Sequence, residues 1–564
     1  MLRQTKLWLH TAVQLRPVQV KSRVRALVAP PKPPPPPPRV PETAPFALPG
    51  FIRNAALNPV FIQKLVRHFE RAGKSKDPWS TFPGSPLEKY QLHGFHYVHA
   101  LDSYPGAPPA REMIRSWLLL IPPGAKPAWE PFPLSSRVVN WIRAAAAAAG
   151  EPVGSDLFLR SLFHQLMFLE RNVEYRVMGN HLIRNAAALV LGGLFFAGAD
   201  AAGWLEKGLK ILSTEIPEQV LGDGGHFELS PMYHCFVLED LLDVSAALSA
   251  NPAPPRLSSL RERTLDLLRG KIPHMLRWLE TIIHPDGGIP LFNDSVFLEA
   301  PAPRLLFERA RALTGGDAPR PSASPPPASS LEHSGYHVIR RGKLFAVIDA
   351  GPFSPSYLPA HGHCDLFSYE LSVSGRRLVV DTGVYDYHHP EKRRACRATA
   401  AHNTLRADRG EQSETWGCFR AARRAAPLSA SLTARDGALV FTGVMRCAAS
   451  GIRHRRTIFS LETGVWVVLD AVLEPRGTHF LESFVHLHPD AAVEPLKNAG
   501  GRAGLLLKTP CGNFTLVPVG AADDVSVASG SYHPAFWTEE ENRVVTVSGA
   551  VPAGRSLGYA VVPV

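Results

Sequence analysis

The sequence predicts an α+β protein of two unlike parts, a helical N-terminal half followed by an antiparallel β half. Three observations carry this. Between about residues 50 and 315 apolar side chains recur at helical spacing, and residues 316–330 are poor in large apolar side chains and rich in Pro, Ser and Ala. Beyond them, short runs of β-branched and aromatic residues are divided by turn residues about every 10–15 positions. With 564 residues, 45% of them hydrophobic and 20% charged, the chain is long enough for two or three domains with their own cores.

Taken in order, the first segment, 1–45, carries Arg3, Lys6, Arg16, Lys21, Arg23, Arg25, Lys32 and Arg39, with no acid among its first forty residues. It runs into the proline tract Pro33–Pro38, which fixes φ and removes donors, so the segment is predicted to be a disordered basic tail ending in a polyproline II spacer. Its apolar stretch Leu7–Leu15 is broken by His10, Thr11 and Gln14 and does not make an export signal. The helical part spans 46–315. Leu157, Leu162, Phe163, Leu166 and Leu169 mark one helix, and Ala144–Ala149 closed by Gly150 marks another. Further helical patterns cover 180–200, 202–215, 233–250 and 256–283. The stretch Ala186–Ala202 contains three glycines and reads as a buried helix, not a membrane span. After the linker at 316–330, residues 331–564 give strand signals at Phe345–Asp349, Leu378–Asp381, Ala438–Thr442, Thr457–Leu461 and Val465–Leu469, as an antiparallel sandwich would.

The formal net charge of +11 attracts polyanions: nucleic acid, an anionic membrane surface or an acidic polysaccharide. Nucleic acid is the weakest of these, because the basic residues are scattered or confined to the first segment and no zinc-finger spacing or RNP-like motif is present. The six cysteines form no CxxC pair, which excludes zinc-ribbon and thioredoxin-like chemistry.

Four polar clusters stand out against the apolar frame. The first, Gly179-Asn180-His181 with Arg184 and Asn185, opens a helix that is otherwise apolar, where an Asn is as readily a helix cap as a functional group. The second, Asp223 to His234, crowds His226, Glu228, Tyr233 and His234 around two glycines. In the third, His361 and His363 precede Asp365, with Asp381, Tyr385 and His402 beyond; His363 to Asp381 is 18 residues and Asp381 to His402 is 21. Three neighbouring strands could each present one ligand, and two imidazoles with a carboxylate suit zinc. The fourth, Asp286 to Asp294, begins with turn chemistry and reads as a structural loop at the rim of a cleft.

A polar centre of Asn, His and Tyr suits proton abstraction beside a carboxylate. Donors that neutralise a uronate carboxylate stabilise the charge that develops as C5 loses its proton, and a tyrosine whose pKa is lowered by nearby cations can take that proton. Five stretches carry a resemblance: Gly179–Leu189, Asp223–Tyr233, His361–Leu371, Val380–Tyr385 and Ala401–Leu405, in that order, resemble the heparinase II/III family of polysaccharide lyases. Tyr90–Tyr97 is similar to the segment that marks the family's helical domain. The resemblance implies an incomplete (α/α) toroid before the β-sandwich, an active cleft between them, and cleavage of a uronic-acid-containing polysaccharide by β-elimination. It also implies roles: Asn180, His181 and His361 neutralising the carboxylate, Tyr233 as base or as base and acid in turn, and a structural zinc on His363, Asp381 and His402. His226, Glu228, Tyr385 and Arg184 join them as candidate substrate-binding residues. His361 and His363 then do different work, which calls for a bulge or loop, not a flat strand.

Some positions depart from the family pattern. The second tyrosine has candidates in Tyr385 and Tyr387, with His388 beside them, and Gly94 and His96 stand where an aromatic and an acid are expected. The resemblance places the protein in the bacterial cell envelope or periplasm, handling a polymer such as an exopolysaccharide; a cytoplasmic location is the alternative. Two other functions fit the same residues. A glycoside hydrolase on the same toroid would use Asp223 and Glu228 as its acid and base, and a silent polysaccharide-binding protein would use the cleft without chemistry.

Overall fold

The computed structural model describes residues 2–50, 58–72, 77–147, 154–315, 325–448, 450–474, 476–497 and 503–564. Helices fill the first part up to Pro303–Leu313 and strands the second from Ala328–Leu331 onward. Gly150 and residues 316–324 of the expected linker lie outside the described residues. The helical part is the incomplete toroid of the sequence reading, and no helix among the described residues is long and apolar enough to cross a membrane.

The toroid is built from helices whose sequences leave little polar surface. The helix Asn180–Phe195 is buried along nearly its whole length. Its neighbour Ala199–Gln219 approaches closely because the contact is made by glycines: a Cβ at Gly193 would lie 2.6 Å from the Leu205 nitrogen, and one at Gly208 2.9 Å from the Ala186 oxygen. The apolar stretch Ala186–Ala202 is therefore two helices meeting at Phe196–Gly198, not one.

Three antiparallel sheets make up the larger part of the second domain among the described residues. The first has five strands, from Ala328–Leu331 through Tyr336–Arg341, Leu344–Asp349 and Tyr369–Val373 to Arg376–Val379. Its register, Tyr336 opposite Asp349 and Ile339 opposite Ala346, puts alternate residues on opposite faces. Tyr336, Val338, Phe345 and Val347 pack into the helical core, whereas Ile339, Ala346 and Ile348 pack into the core of the β domain. Burial on both faces explains why Phe345–Asp349 is a continuous apolar run, not an alternating one. This sheet joins the two domains.

An eight-stranded sheet runs from Ala492–Lys497 at one edge to Ala426–Arg435 at the other, with Trp466–Val472 beside Leu557–Pro563 at its centre. A four-stranded sheet places Leu405–Ala407 against Thr478–His486, which positions His402 and Asn403 just before the short strand. Phe441, Ile458, Trp466, Val485 and Tyr559 fill the space between the sheets.

The first segment corrects the sequence reading. Residues 2–45 are not a disordered tail: Leu2–Ala12 and Pro17–Val28 are helices, and the proline tract lies against the toroid, with the Pro34 oxygen 2.6 Å from His164 Nε2. Neither helix has an acid in its first turn or a strongly apolar composition, so its order comes from docking. Gln19 is buried and donates to the backbone oxygens of Val177 and Tyr357, Arg16 pairs with Glu218 and lies 3.8 Å over the Tyr357 ring, and Thr11 meets Trp416 and the Ala421 oxygen.

Candidate active site

The cleft lies between the toroid and the β domain and has a volume of about 520 Å³; Asn180, His181, Tyr233, His361, Tyr387 and His388 are on its walls. A deeper cavity of about 130 Å³ continues past Asn180, Tyr233 and Tyr387 into the toroid.

Asn180 is the first residue of its helix, not the cap. Gly179 precedes it with φ 60°, and a Cβ there would collide with Glu228 Oε1 and Leu358 Cδ2. This backbone turns the start of the helix onto the buried Glu228 carboxylate, which accepts from the Asn180 backbone at 2.7 Å and from Asn180 Nδ2 at 3.0 and 3.1 Å. The other side of the same carboxylate lies 3.3 Å from His361 Nε2. Glu228 thus sets the positions of two cleft residues from behind.

Tyr233 stands in the first turn of the helix Pro231–Ala250, which Ser230 caps by accepting from the Tyr233 backbone. Its ring is 4.0 Å from that of His361, and its hydroxyl is 3.1 Å from that of Tyr387. The expectation of a lowered tyrosine pKa is overturned. Burial above all, then the charge of Asp294, pushes the Tyr233 phenol well above its ordinary value, while the Tyr387 hydroxyl and Arg393 act weakly the other way. Burial and Tyr233 itself raise Tyr387 as well. Both hydroxyls are neutral at rest.

Asp294 is the hub that the sequence reading took for a structural loop. Its carboxylate accepts from His361 Nδ1 and His363 Nε2 at 2.8 Å each and pairs with both terminal nitrogens of Arg393. Burial would raise its pKa, yet Arg393 and the two imidazoles hold it well below the usual carboxylate range. An ionised Asp294 requires His361 to donate from Nδ1, and only the protonated ring donates from Nε2 as well, to Glu228 or into the cleft.

His361 and His363 lie in a loop, as their different roles require: Gly362 fits against the Phe353 oxygen, where no Cβ could stand. With His363 Nε2 spent on Asp294, its buried Nδ1 has no hydrogen-bond partner among the described residues, and the same is true of His402 Nε2. His363, Asp365 and His402 offer ligand atoms that all lie within 4.8 Å of one another. The three that converge are not the expected set of His363, Asp381 and His402: Asp381 accepts from His402 Nδ1 at 2.7 Å and orients that ring, and Asp365 stands in its place in the cluster. Burial raises Asp381 to about 6 and Asp365 also upward, so these acids gain from a cation beside them. Two orphaned imidazole nitrogens, each on a ring backed by a carboxylate, together with the Asp365 carboxylate suit zinc.

The remaining candidates divide. His181 lines the cleft, with Nδ1 2.9 Å from Glu174 and its ring 4.3 Å from Phe132. Arg184 reaches the deeper cavity and pairs with Asp240 at 3.0 Å. His226 lies behind the cleft on Gln219 and is lowered to about 4 by burial, so it supports and does not touch a ligand. Tyr385 is replaced by Tyr387: the Tyr385 ring lies under Lys392 Nζ at 3.5 Å and against His533. The hydrolase pair fails, because Asp223 accepts from the Ser334 backbone and hydroxyl at 2.7 and 2.8 Å and braces the junction between domains. Sequence reasoning passed over Arg393, a buried partner whose signal was only one basic residue among several.

The profile described as "Heparinase II/III N-terminus" matches residues 123–309 and that described as "Heparinase II/III-like, C-terminal" matches residues 323–557. A heparin-sulfate lyase of Pedobacter heparinus is 25% identical over 365 residues, covering 58% of this chain and 53% of that protein. FtsZ-localized protein C of Caulobacter vibrioides is 27% identical over 318 residues, 56% of this chain and 51% of its own length. The chain thus spans about half the length of the curated relatives it matches. Among solved structures, heparinase III superposes with a TM-score of 0.67 at 17% identity, covering 91% of this chain and 86% of that one. A heparan sulfate lyase from Pedobacter heparinus gives 0.56 at 19% identity over 97% and 87%. These structures share the fold.

Proposed function

Because the chain belongs to the heparinase II/III-like family, we propose that its cleft binds an acidic polysaccharide and cleaves it by β-elimination at a uronic acid. The observation that carries this is the pair of tyrosine hydroxyls 3.1 Å apart beside His361, with carboxylate-seeking donors on the same wall.

The uronate carboxylate lies against Asn180, His181 and His361, where donors already aimed by Glu228, Glu174 and Asp294 stabilise the charge that develops when the C5–H bond breaks. Tyr233 as phenolate takes the C5 proton, the C5–H electrons become the C4–C5 double bond, the C4–O4 bond breaks, and the Tyr387 hydroxyl protonates O4. The products are a 4,5-unsaturated uronate end and a new reducing end. A zinc ion on His363, Asp365 and His402, with Asp381 behind, would supply structural cross-linking to the loop that carries His361. The polymer is one that a bacterial envelope displays, such as an exopolysaccharide.

The test is ultraviolet absorbance of the unsaturated product on a panel of alginate, heparan sulfate, heparin, chondroitin, hyaluronan and glucuronate-containing exopolysaccharides. Tyr233→Phe should abolish the rise with an unchanged melting temperature. Full activity in that variant overturns the base assignment, and new reducing ends without absorbance overturn elimination. A second reading, a binding protein without chemistry, draws on the relative named for its localisation with FtsZ; binding of a panel polymer with no product from the wild type would favour it.

A further inference from the structure

Neither matched region reaches residues 2–45, yet these residues form part of the cleft wall. Thr11, Leu15, Gln19 and Arg23 face the same space as Tyr233 and His361. The segment is fixed there by contacts with both domains: Thr11 to Trp416 and the Ala421 oxygen, Gln19 to Val177 and Tyr357, Arg16 to Glu218. Its position brings three guanidinium groups from three separate parts of the chain to one wall. Arg23 comes from the helix Pro17–Val28, Arg176 from the turn before Gly179, and Arg420 from a short strand of the β domain.

Two of these three groups have no carboxylate partner among the described residues. Arg23 Nη2 donates to the Arg176 backbone oxygen at 3.4 Å, and Arg420 lies over the Trp416 ring at 4.7 Å. Among the described residues neither Arg23 nor Arg420 has a carboxylate within ion-pair distance, while Arg176 has Glu174 at 3.8 Å. Desolvation first, then repulsion from Arg420 and Arg176, makes it harder for Arg23 to hold its proton. Like charges held close, two of them without a counter-ion among the described residues, gain from an anion placed among them.

We propose that the N-terminal segment completes the substrate site and that Arg23, Arg176 and Arg420 form an anion subsite for a second acidic group, carboxylate or sulfate, on a sugar flanking the one that is cleaved. The proposal rests on the lyase reading for where the polymer lies. It makes a polymer with a charged group on the neighbouring sugar a better ligand than one charged only at the cleaved unit.

Calorimetric titration of the full chain carrying Tyr233→Phe, so that nothing turns over, tests it. The probes are a heparin-derived tetrasaccharide, an unsulfated glucuronate tetrasaccharide and inorganic sulfate. Arg23→Gln and Arg420→Gln should each weaken binding of a tetrasaccharide about 10-fold and reduce its salt dependence by about one ion, with the melting temperature unchanged because both side chains are exposed. Arg23→Lys should recover part of the loss. Tighter binding of the sulfated probe, with competition by sulfate, assigns the group as sulfate; equal binding of both tetrasaccharides assigns carboxylate. Unchanged affinity and salt dependence in both glutamine variants overturns the subsite, and so does failure of the parent to bind any probe. If the parent binds, the variants weaken it and the wild type yields no unsaturated product, the subsite stands and the lyase reading falls.

Discussion

Asp294 accepts two imidazoles and a guanidinium at once, so its charge orders the residues on both sides of it. Asp294→Asn would leave the Arg393 guanidinium buried without its counter-charge, and loss of one partner of such a pair costs about 3–5 kcal/mol. The expected outcome is a lower urea midpoint together with loss of activity. Asp294→Ala with unchanged stability would remove the hub assignment. Tyr233 gives the corresponding prediction for rate. Since burial and the nearby acids hold its phenol well above the ordinary value, the phenolate fraction grows about tenfold per pH unit through the neutral range. The measured kcat/KM should climb on that slope from pH 6 to about 9, where a plateau at neutral pH would contradict a tyrosine base. At this scale the sequence was informative where a motif names a side chain, as for Asn180, Tyr233 and His361. It was silent where the decision lay in which atom is free: spacing cannot tell that Asp381 spends its oxygen on His402, or that Asp365 is within reach. The pull of Asp286-Gly-Gly towards a turn hid Asp294 for the same reason.

Elements deliver those side chains through their ends. The helix Asn180–Phe195 can start where it does because Gly179 has φ 60° and no Cβ against Glu228. Gly179→Ala should therefore cost about 1–3 kcal/mol in strain and contact. It should also reduce activity far more than a surface change of equal destabilisation, since it moves Asn180; kcat/KM and melting temperature measured together decide this. The helical and strand patterns of the two domains were legible because they bury one face or two at fixed period. The helices Leu2–Ala12 and Pro17–Val28 were not, because what holds them is a set of contacts with residues more than a hundred positions away, among them Glu218, Tyr357 and Trp416. A composition that predicts disorder in isolation says nothing about a surface waiting to receive it.

For the molecule as a whole, stability should depend on two buried sites, one that suits a cation and one that holds a proton. Removal of metal with a chelator should lower the melting temperature of the wild type and leave His402→Ala unaffected by the same treatment, as scanning calorimetry would record. Burial raises the Glu299 carboxyl, in the deeper cavity, to about 8 against the hydrogen bond from Asn58. The native state then keeps a proton that the unfolded chain releases near 4.5, so this group's contribution to stability falls as pH rises from there to about 8. Glu299→Gln should flatten that part of the profile in urea unfolding, and an identical profile would show that the proton is not held there. If a strap fastened to both lips of a cleft bars a long chain arriving broadside, threading from a terminus is the way left in. Degradation would then count termini, not length: in a viscometer the solution should stay thick while absorbance accumulates, and clipping the strap should let it thin at once.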